Sequence, residues 1–171
     1  MASRGFTLIE LLVVLIVLML LVAIGIPNLS QHIRESRTQS QAQELFQAVQ
    51  VARTHAITTN SRVTLRATGS WNEGWQVFMD PNHNGELDPG EKLLASSGPI
   101  KGTHIVGNHW VARHISFIGT GESRFANGSS GGAFQAGRIT VCGEEGERGY
   151  QLVLARSGRM RMNTIESEQC L

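Results

Sequence analysis

The chain has 171 residues, enough for one compact domain with an appendage. Its formal net charge is +1, which excludes a bulk electrostatic pull toward nucleic acid or anionic membrane; any such binding must come from a local patch. Composition is ordinary for a globular protein apart from 19 glycines and one tyrosine, with two cysteines and no internal repeat.

The first element runs from Phe6 to Ile26, 21 residues that are almost purely apolar but for Glu10. As a helix it would extend about 31 Å, the thickness of a bilayer core. Arg4 is the only charge ahead of it, which favours a cytoplasmic N-terminus. The run is too long for the core of a secretory signal, and no A-x-A site follows it. Glu10 stands out, because a carboxylate at membrane depth costs about 2.5–3.5 kcal/mol. It must lie near the interface or have a partner.

The stretch "RGFTLIELL", with Gly5, Phe6, Thr7, Leu8, Glu10 and later Pro27, resembles the class III leader junction of type IV pilins and pseudopilins. The resemblance implies a leader over residues 1–5, cut between Gly5 and Phe6 by the prepilin peptidase, which then methylates Phe6. Residues 6–27 would be a transmembrane and assembly helix. The freed Phe6 amine is largely protonated near neutral pH, so Glu10 of one subunit can pair with it in the next. In a low-dielectric helix bundle such a pair counts for far more than at a surface, and an unpaired charge is penalised. Glu10 is therefore expected to key filament assembly with other major and minor pilins. Gly25 and Pro27 interrupt the pattern; Pro27 removes a backbone donor and crowds the preceding turn, so a kink is expected.

After Pro27 the pattern becomes amphipathic. Ala42, Leu45, Val49, Ala52 and Ala56 recur at three- and four-residue steps, one face of a helix. Gln39, Gln43, Glu44, Gln47, Gln50 and Arg53 cover much of the rest. This second half, residues 28–60, should end near Thr59 at "TTNS".

From there the period changes to two. "RVTLRA", "GWQVFMD", "KLLAS", "HISFIG", "RITVC" and "YQLVLAR" read as strands separated by Gly- and Asn-rich turns. The expected class is α+β. A long N-terminal helix, its first half transmembrane, packs its second half on a mainly antiparallel head over residues 61–171, as one sheet or two small ones. "WNEGWQVFMDPNHNGELDPGEKLL" followed by "YQLVLARSGRMRM" resembles the GspH/FimT branch of the type IV pilin-like proteins. That branch holds minor pilins of type IV pili and a minor pseudopilin of type II secretion. The likeness is weaker over residues 98–140, where "ANGSSGGAF" reads as a flexible loop.

"DPNHNGELDPGE" fits a calcium-loop template, with Asp80, Asn82, Asn84, Gly85, Asp88 and Glu91 at places one, three, five, six, nine and twelve. Strands flank it rather than helices, and the same residues suit a tight hairpin turn. Both readings stand at this point; no other metal and no cofactor is expected. His104, His109 and His114 recur every five residues, a step that alternates faces on a strand, and read as surface or turn residues.

"SGRMRMN" places Arg159 and Arg161 on one face of an extended chain and Met160 and Met162 on the other. The two arginines leave the backbone about 6.6 Å apart, near two nucleotide steps of about 3.4 Å. Gly158 permits the turn before them. The motif resembles the GRxR signature of DNA-binding FimT-like minor pilins, which implies capture of double-stranded DNA in natural transformation through Gly158, Arg159 and Arg161. Arg156 and Arg138 would widen the patch, while Glu166 and Glu168 oppose it. The alternative is an edge strand with solvated arginines.

The resemblance also implies a periplasmic head, an oxidising setting in which Cys142 and Cys170 would form a bridge rather than stay free thiols. The chain-entropy model gives such a loop of about 28 residues roughly 3.6 kcal/mol. No catalytic constellation stands out, so no enzyme is expected. The chain reads as a minor type IV pilin that is a single-pass inner-membrane protein before assembly and part of the pilus afterwards. There it would prime assembly near the tip. The alternatives are a purely structural minor pilin or a type II secretion minor pseudopilin of the H type.

Overall fold

A single helix, α1 (Leu8–Thr59), opens the computed structural model of this chain, which describes residues 7–144 and 147–170 and, within α1, not the side chains of residues 23–31. Gly5 and Phe6 lie outside the described residues. The kink expected at Gly25 and Pro27 falls where side chains are not described, and the backbone there is helical. The helix starts with a capping box: Glu10 N–H donates to Thr7 Oγ1 at 3.3 Å, and Thr7 N–H donates to Glu10 Oε2 at 3.5 Å. It stops at Asn60, whose φ of 48° is a left-handed conformation that Asn tolerates.

The chain divides into two compact units, the first ending at Arg34 and the second starting at Glu35. In the first, every apolar side chain from Leu8 to Val22 is exposed, by 45% to 82%. Among the described residues no helix is long and apolar enough to cross a membrane. The run of described side chains here, residues 7–22, spans about 24 Å, short of a core of roughly 30 Å. The 21-residue stretch read from the sequence extends past it at both ends.

Among its described residues the second unit holds eight strands. They are β1 (Val63–Ala67), β2 (Trp75–Met79), β3 (Leu93–Ser97), β4 (His104–Gly107), β5 (His114–Phe117), β6 (Gly137–Cys142), β7 (Gly149–Leu154) and β8 (Met160–Ile165). They form two four-stranded sheets, ordered β3-β2-β1-β5 and β4-β6-β7-β8. Every pair is antiparallel. The six alternating stretches all became strands. The sequence reading missed β4, four residues long, and the short 3-10 turns at Trp71–Glu73, His109–Val111 and Ser167–Cys170.

The expected helix stripe is the floor of the core. Ala42, Val49, Ala52 and Ala56 are fully buried and Leu45 nearly so. They join one cluster with Val63, Leu65, Val77 and Ile115 of the first sheet and Ile105, Ile139, Val141, Leu152, Leu154 and Met160 of the second. Asn72 stitches the sheets together: its amide donates to Thr103 O at 2.6 Å and its oxygen accepts Ile105 N–H at 2.9 Å.

The other face of β1 is polar yet buried. Thr64 donates to Asp80 Oδ2 at 2.7 Å, and Gln135 Oε1 accepts Ser116 N–H at 3.0 Å. Arg62 directs its guanidinium to His83 Nδ1, Ser116 Oγ and the carbonyls of Arg124, Ser129 and Ser130. The glycine-serine loop read as flexible is thereby tied by two of its carbonyls to a buried arginine.

Leu45→Ala should cost about 2–5 kcal/mol, because a fully enclosed leucine leaves a cavity that two sheets and a helix cannot all close. Urea unfolding of wild type and variant checks this. A loss under about 1 kcal/mol would mean the helix stripe is not what the sheets pack on.

Candidate functional site

The "SGRMRMN" stretch forms the turn and returning strand of the β7–β8 hairpin. Ala155 N–H donates to Arg159 O and Gly158 N–H to Ala155 O, both at 2.9 Å. The strand alternates as expected: Met160 is buried, while Arg159 and Arg161 are exposed. β8 is an edge strand of its sheet. Among the described residues neither arginine has an ion-pair partner.

The turn is held from below. Arg53 Nε donates to Gly121 O at 3.0 Å and its Nη2 to Ser157 O at 3.2 Å. Ser123 Oγ donates to Ala155 O at 2.9 Å, and its N–H to Arg156 O at 3.3 Å. The carbonyls of residues 155, 156 and 157 are thus all engaged. Arg53 is not the solvent-facing residue its place on the helix suggested; it is the anchor of this hairpin. Gly158 sits at φ +77°, and a Cβ there would run into the Gly121 carbonyl oxygen. Both facts require glycine.

Register extends the patch sideways. Arg161 faces Val153, which faces Arg138 on the next strand. Two strand spacings of about 4.8 Å put the Arg138 and Arg161 backbones roughly 9.6 Å apart on one face. The opposing acids lie at the far end: Glu166 follows Ile165, about 13 Å along the strand from Arg161. Between the ends, His104, Val106, Arg138, Thr140, Gln151 and Gln169 line a groove of about 420 Å³.

The far end is closed by the Cys142–Cys170 disulfide, whose Cα atoms are 5.8 Å apart. It joins the end of β6 to the C-terminal turn, the staple expected from the sequence.

The other candidates resolve differently. In the loop after β2, Asn82 and Asn84 each donate an amide hydrogen to Asp88 Oδ2 at 2.7 Å. These bonds hold the Asp88 carboxyl below the usual carboxylate range. Asp88 N–H donates to Glu91 Oε2 at 3.0 Å. The loop's side chains thus bond one another, and among the described residues no three acidic, histidine or cysteine side chains gather on one point. His104 and His109 are exposed, but His114 is not a surface residue. It is half-buried on β5, and burial, followed by the charge of Arg66, pushes its imidazole below the ordinary value.

The sequence carried one legible signal that its reading passed over. Thr7-x-x-Glu10 before an apolar run is a capping-box signature, and Glu10 makes that use of its carboxylate here.

Gly158→Ala should destabilise by about 1–3 kcal/mol and loosen the hairpin tip, since alanine is forced into a left-handed conformation against a fixed carbonyl. Urea unfolding combined with amide exchange over residues 155–160 measures both. Unchanged protection there would show that the turn does not depend on Gly158.

Residues 1–26 match the prokaryotic N-terminal methylation motif, which associates the chain with a pilus or the inner membrane. The family described as type II transport protein GspH matches residues 41–158. The pilin-like protein PilA1 of Thermus thermophilus is 36% identical over 111 residues, 65% of this chain. The match spans 65% of PilA1's own length, just under two thirds. The fold is shared with the type IV minor pilin FimU of Pseudomonas aeruginosa, at 18% identity and a TM-score of 0.57, covering 75% of this chain and 89% of FimU. It is shared as well with the minor pseudopilin EpsH of the type 2 secretion system of Vibrio cholerae, at 11% identity and a TM-score of 0.54, covering 74% and 96%. Such chains are structural components and not enzymes. With the methylation motif at its start and the family match running through both sheets as far as the hairpin glycine, this chain belongs to the GspH family of pilin-like proteins.

Proposed function

We propose that the chain is a minor type IV pilin whose head binds double-stranded DNA at the Arg159–Arg161 hairpin. The observation that carries the DNA reading is the hairpin itself. Two exposed arginines leave one face of an edge strand without acidic partners among the described residues, on a turn whose carbonyls are all engaged. Guanidinium groups are suited to phosphate oxygens. No aromatic residue is interleaved with them, so binding is to the backbone and indifferent to sequence.

In this reading the precursor crosses the inner membrane once, through residues 6–27, with its head in the periplasm. The prepilin peptidase removes residues 1–5 and methylates Phe6. Glu10 then exchanges its cap for the Phe6 amine of a neighbour. Its two contacts with Thr7 are at the long end for hydrogen bonds, and a protonated amine in a low-dielectric bundle is a stronger partner. In the pilus the subunit primes assembly near the tip and serves DNA uptake in transformation. The domain limits 1–5, 6–27, 28–60 and 61–171 follow this division of labour. The family description and the EpsH fold favour a second reading, a type II secretion minor pseudopilin, in which the arginines have no nucleic-acid role.

Glu10→Val should leave the protein in the membrane but exclude it from sheared pili, seen by immunoblot. Thr7→Ala, which removes the cap and keeps the carboxylate, should still be incorporated. Incorporation of Glu10→Val at the wild-type level defeats the assembly role.

Affinity for duplex DNA should be micromolar or weaker and fall with salt, with a log–log slope of about −0.9 for each phosphate contact. Arg159→Gln with Arg161→Gln should abolish binding without unfolding, and Arg156→Gln should weaken it less. Fluorescence titration of the purified protein in detergent micelles measures this. If the double variant binds as well as wild type at low salt, the DNA reading fails and the purely structural one stands.

A further inference from the structure

The loop from Asp80 to Glu91 is absorbed by neither reading of the arginines. Its twelve residues carry oxygen-bearing side chains at places one, three, five, nine and twelve and glycine at six, with a backbone carbonyl, that of Glu86, at seven. Oxygens at these intervals suit a large, hard divalent cation that takes six to eight ligands.

The structure adds an observation that the spacing does not contain. Among the described residues, Asp80 Oδ1 and Glu91 Oε1 are buried atoms with no hydrogen-bond partner. They belong to the first and twelfth places, where the template requires carboxylates. Asp80 is fully buried, and its other oxygen is aimed into the loop: Oδ2 accepts Gly85 N–H at 3.0 Å. Gly85 has φ +73°, the sharp left-handed turn the sixth place needs. The nearby guanidinium does not satisfy Asp80, because Arg62 directs its five N–H donors to His83, Ser116, Arg124, Ser129 and Ser130. A buried carboxylate oxygen left without a donor is costly.

The middle places are prepared too. Asn82 Oδ1 accepts Asn84 N–H at 3.2 Å, and Asn84 Oδ1 accepts Glu86 N–H at 2.7 Å. Each amide oxygen keeps a second lone pair. Both amides here donate their N–H to Asp88 Oδ2 at 2.7 Å; these bonds gather places three, five and nine, and cation binding would exchange them for oxygen contacts. Glu86 is held away as a competitor by its 2.9 Å ion pair with Arg66.

We propose that this loop binds calcium, with Asp80 Oδ1, Asn82 Oδ1, Asn84 Oδ1, the Glu86 carbonyl and Glu91 as ligands and Asp88 acting through water. The carboxylates do not close on one point in the present arrangement, so binding draws Glu91 inward. Because the loop joins β2 to β3, closure would fix the edge of the first sheet.

The test is a calcium titration of the full-length protein in detergent micelles by calorimetry, with a thermal melt in parallel. The expected Kd is about 0.1–1 mM, the range of extracellular calcium modules. The melting temperature should rise with calcium, fall back with EGTA, and not follow magnesium. Glu91→Gln, which keeps an oxygen acceptor for Asp88 N–H, should weaken binding about tenfold or more while melting like wild type in EGTA; Asn82→Ala, which also removes two loop hydrogen bonds, should weaken binding at least as much from a lower EGTA baseline, and Asp80→Asn is avoided because that carboxylate also holds Thr64 and Gly85. No heat and no melting shift up to about 10 mM calcium, an equal shift with magnesium, or an unchanged Kd in both variants would overturn the proposal.

Discussion

The contact on which the second unit depends is that of a narrow helix face with two sheets at once. Ala42, Ala48, Ala52 and Ala56 present almost no bulk, and Leu45 and Val49, with Phe46 packed at the side, supply the bulk of the stripe. A face this thin lets β1 and β6 both approach the same helix. The strands then need apolar residues on one side only, which is why they read as alternating. It also explains where the polar residues went. Once the inner face of β1 is committed to the helix, Thr64, Asp80, Ser116 and Gln135 have no route to the core and bond with one another beneath the loop anchored by Arg62.

Local patterns were legible, and long-range partners were not. Helix period, strand alternation and the helix stop at "TTNS" are properties of neighbours in sequence, and they predicted elements within a residue or two. β4 escaped because "HIVG" is four residues long, too short for alternation to stand out. Arg53 escaped because its partners, Gly121 and Ser157, are 68 and 104 residues away. Nothing in "QVARTH" announces an arginine that holds a turn from so far off. The Arg62 hub and the Asn72 stitch were hidden for the same reason. His114 shows the limit of spacing arguments: a five-residue repeat said that three histidines do not converge, but not that one would be drawn away from solvent.

For the site, the residue types were visible and their support was not. Arg159 and Arg161 could be assigned one face from alternation alone. That Gly158 is required, and by what, needed the Gly121 carbonyl. That Arg138 belongs to the same face needed the register through Val153. Glu166 and Glu168, which looked like opposition, sit at the disulfide end of the strand. Separation along a strand reduced what proximity in sequence had overstated.

The anchoring of the hairpin has a mechanical side. A pull on the tip draws β7 and β8 together, so the ladder loaded in shear is the next one, between β7 and β6, whose bonds lie across the pull and resist together. Tension also passes sideways through Arg53 into α1, bypassing the sheet, and through β7 into β6, which the Cys142–Cys170 staple reinforces covalently. The hairpin tip is thus backed by a helix, a sheet and a covalent bond at once, so a load placed on it is shared rather than borne by one ladder.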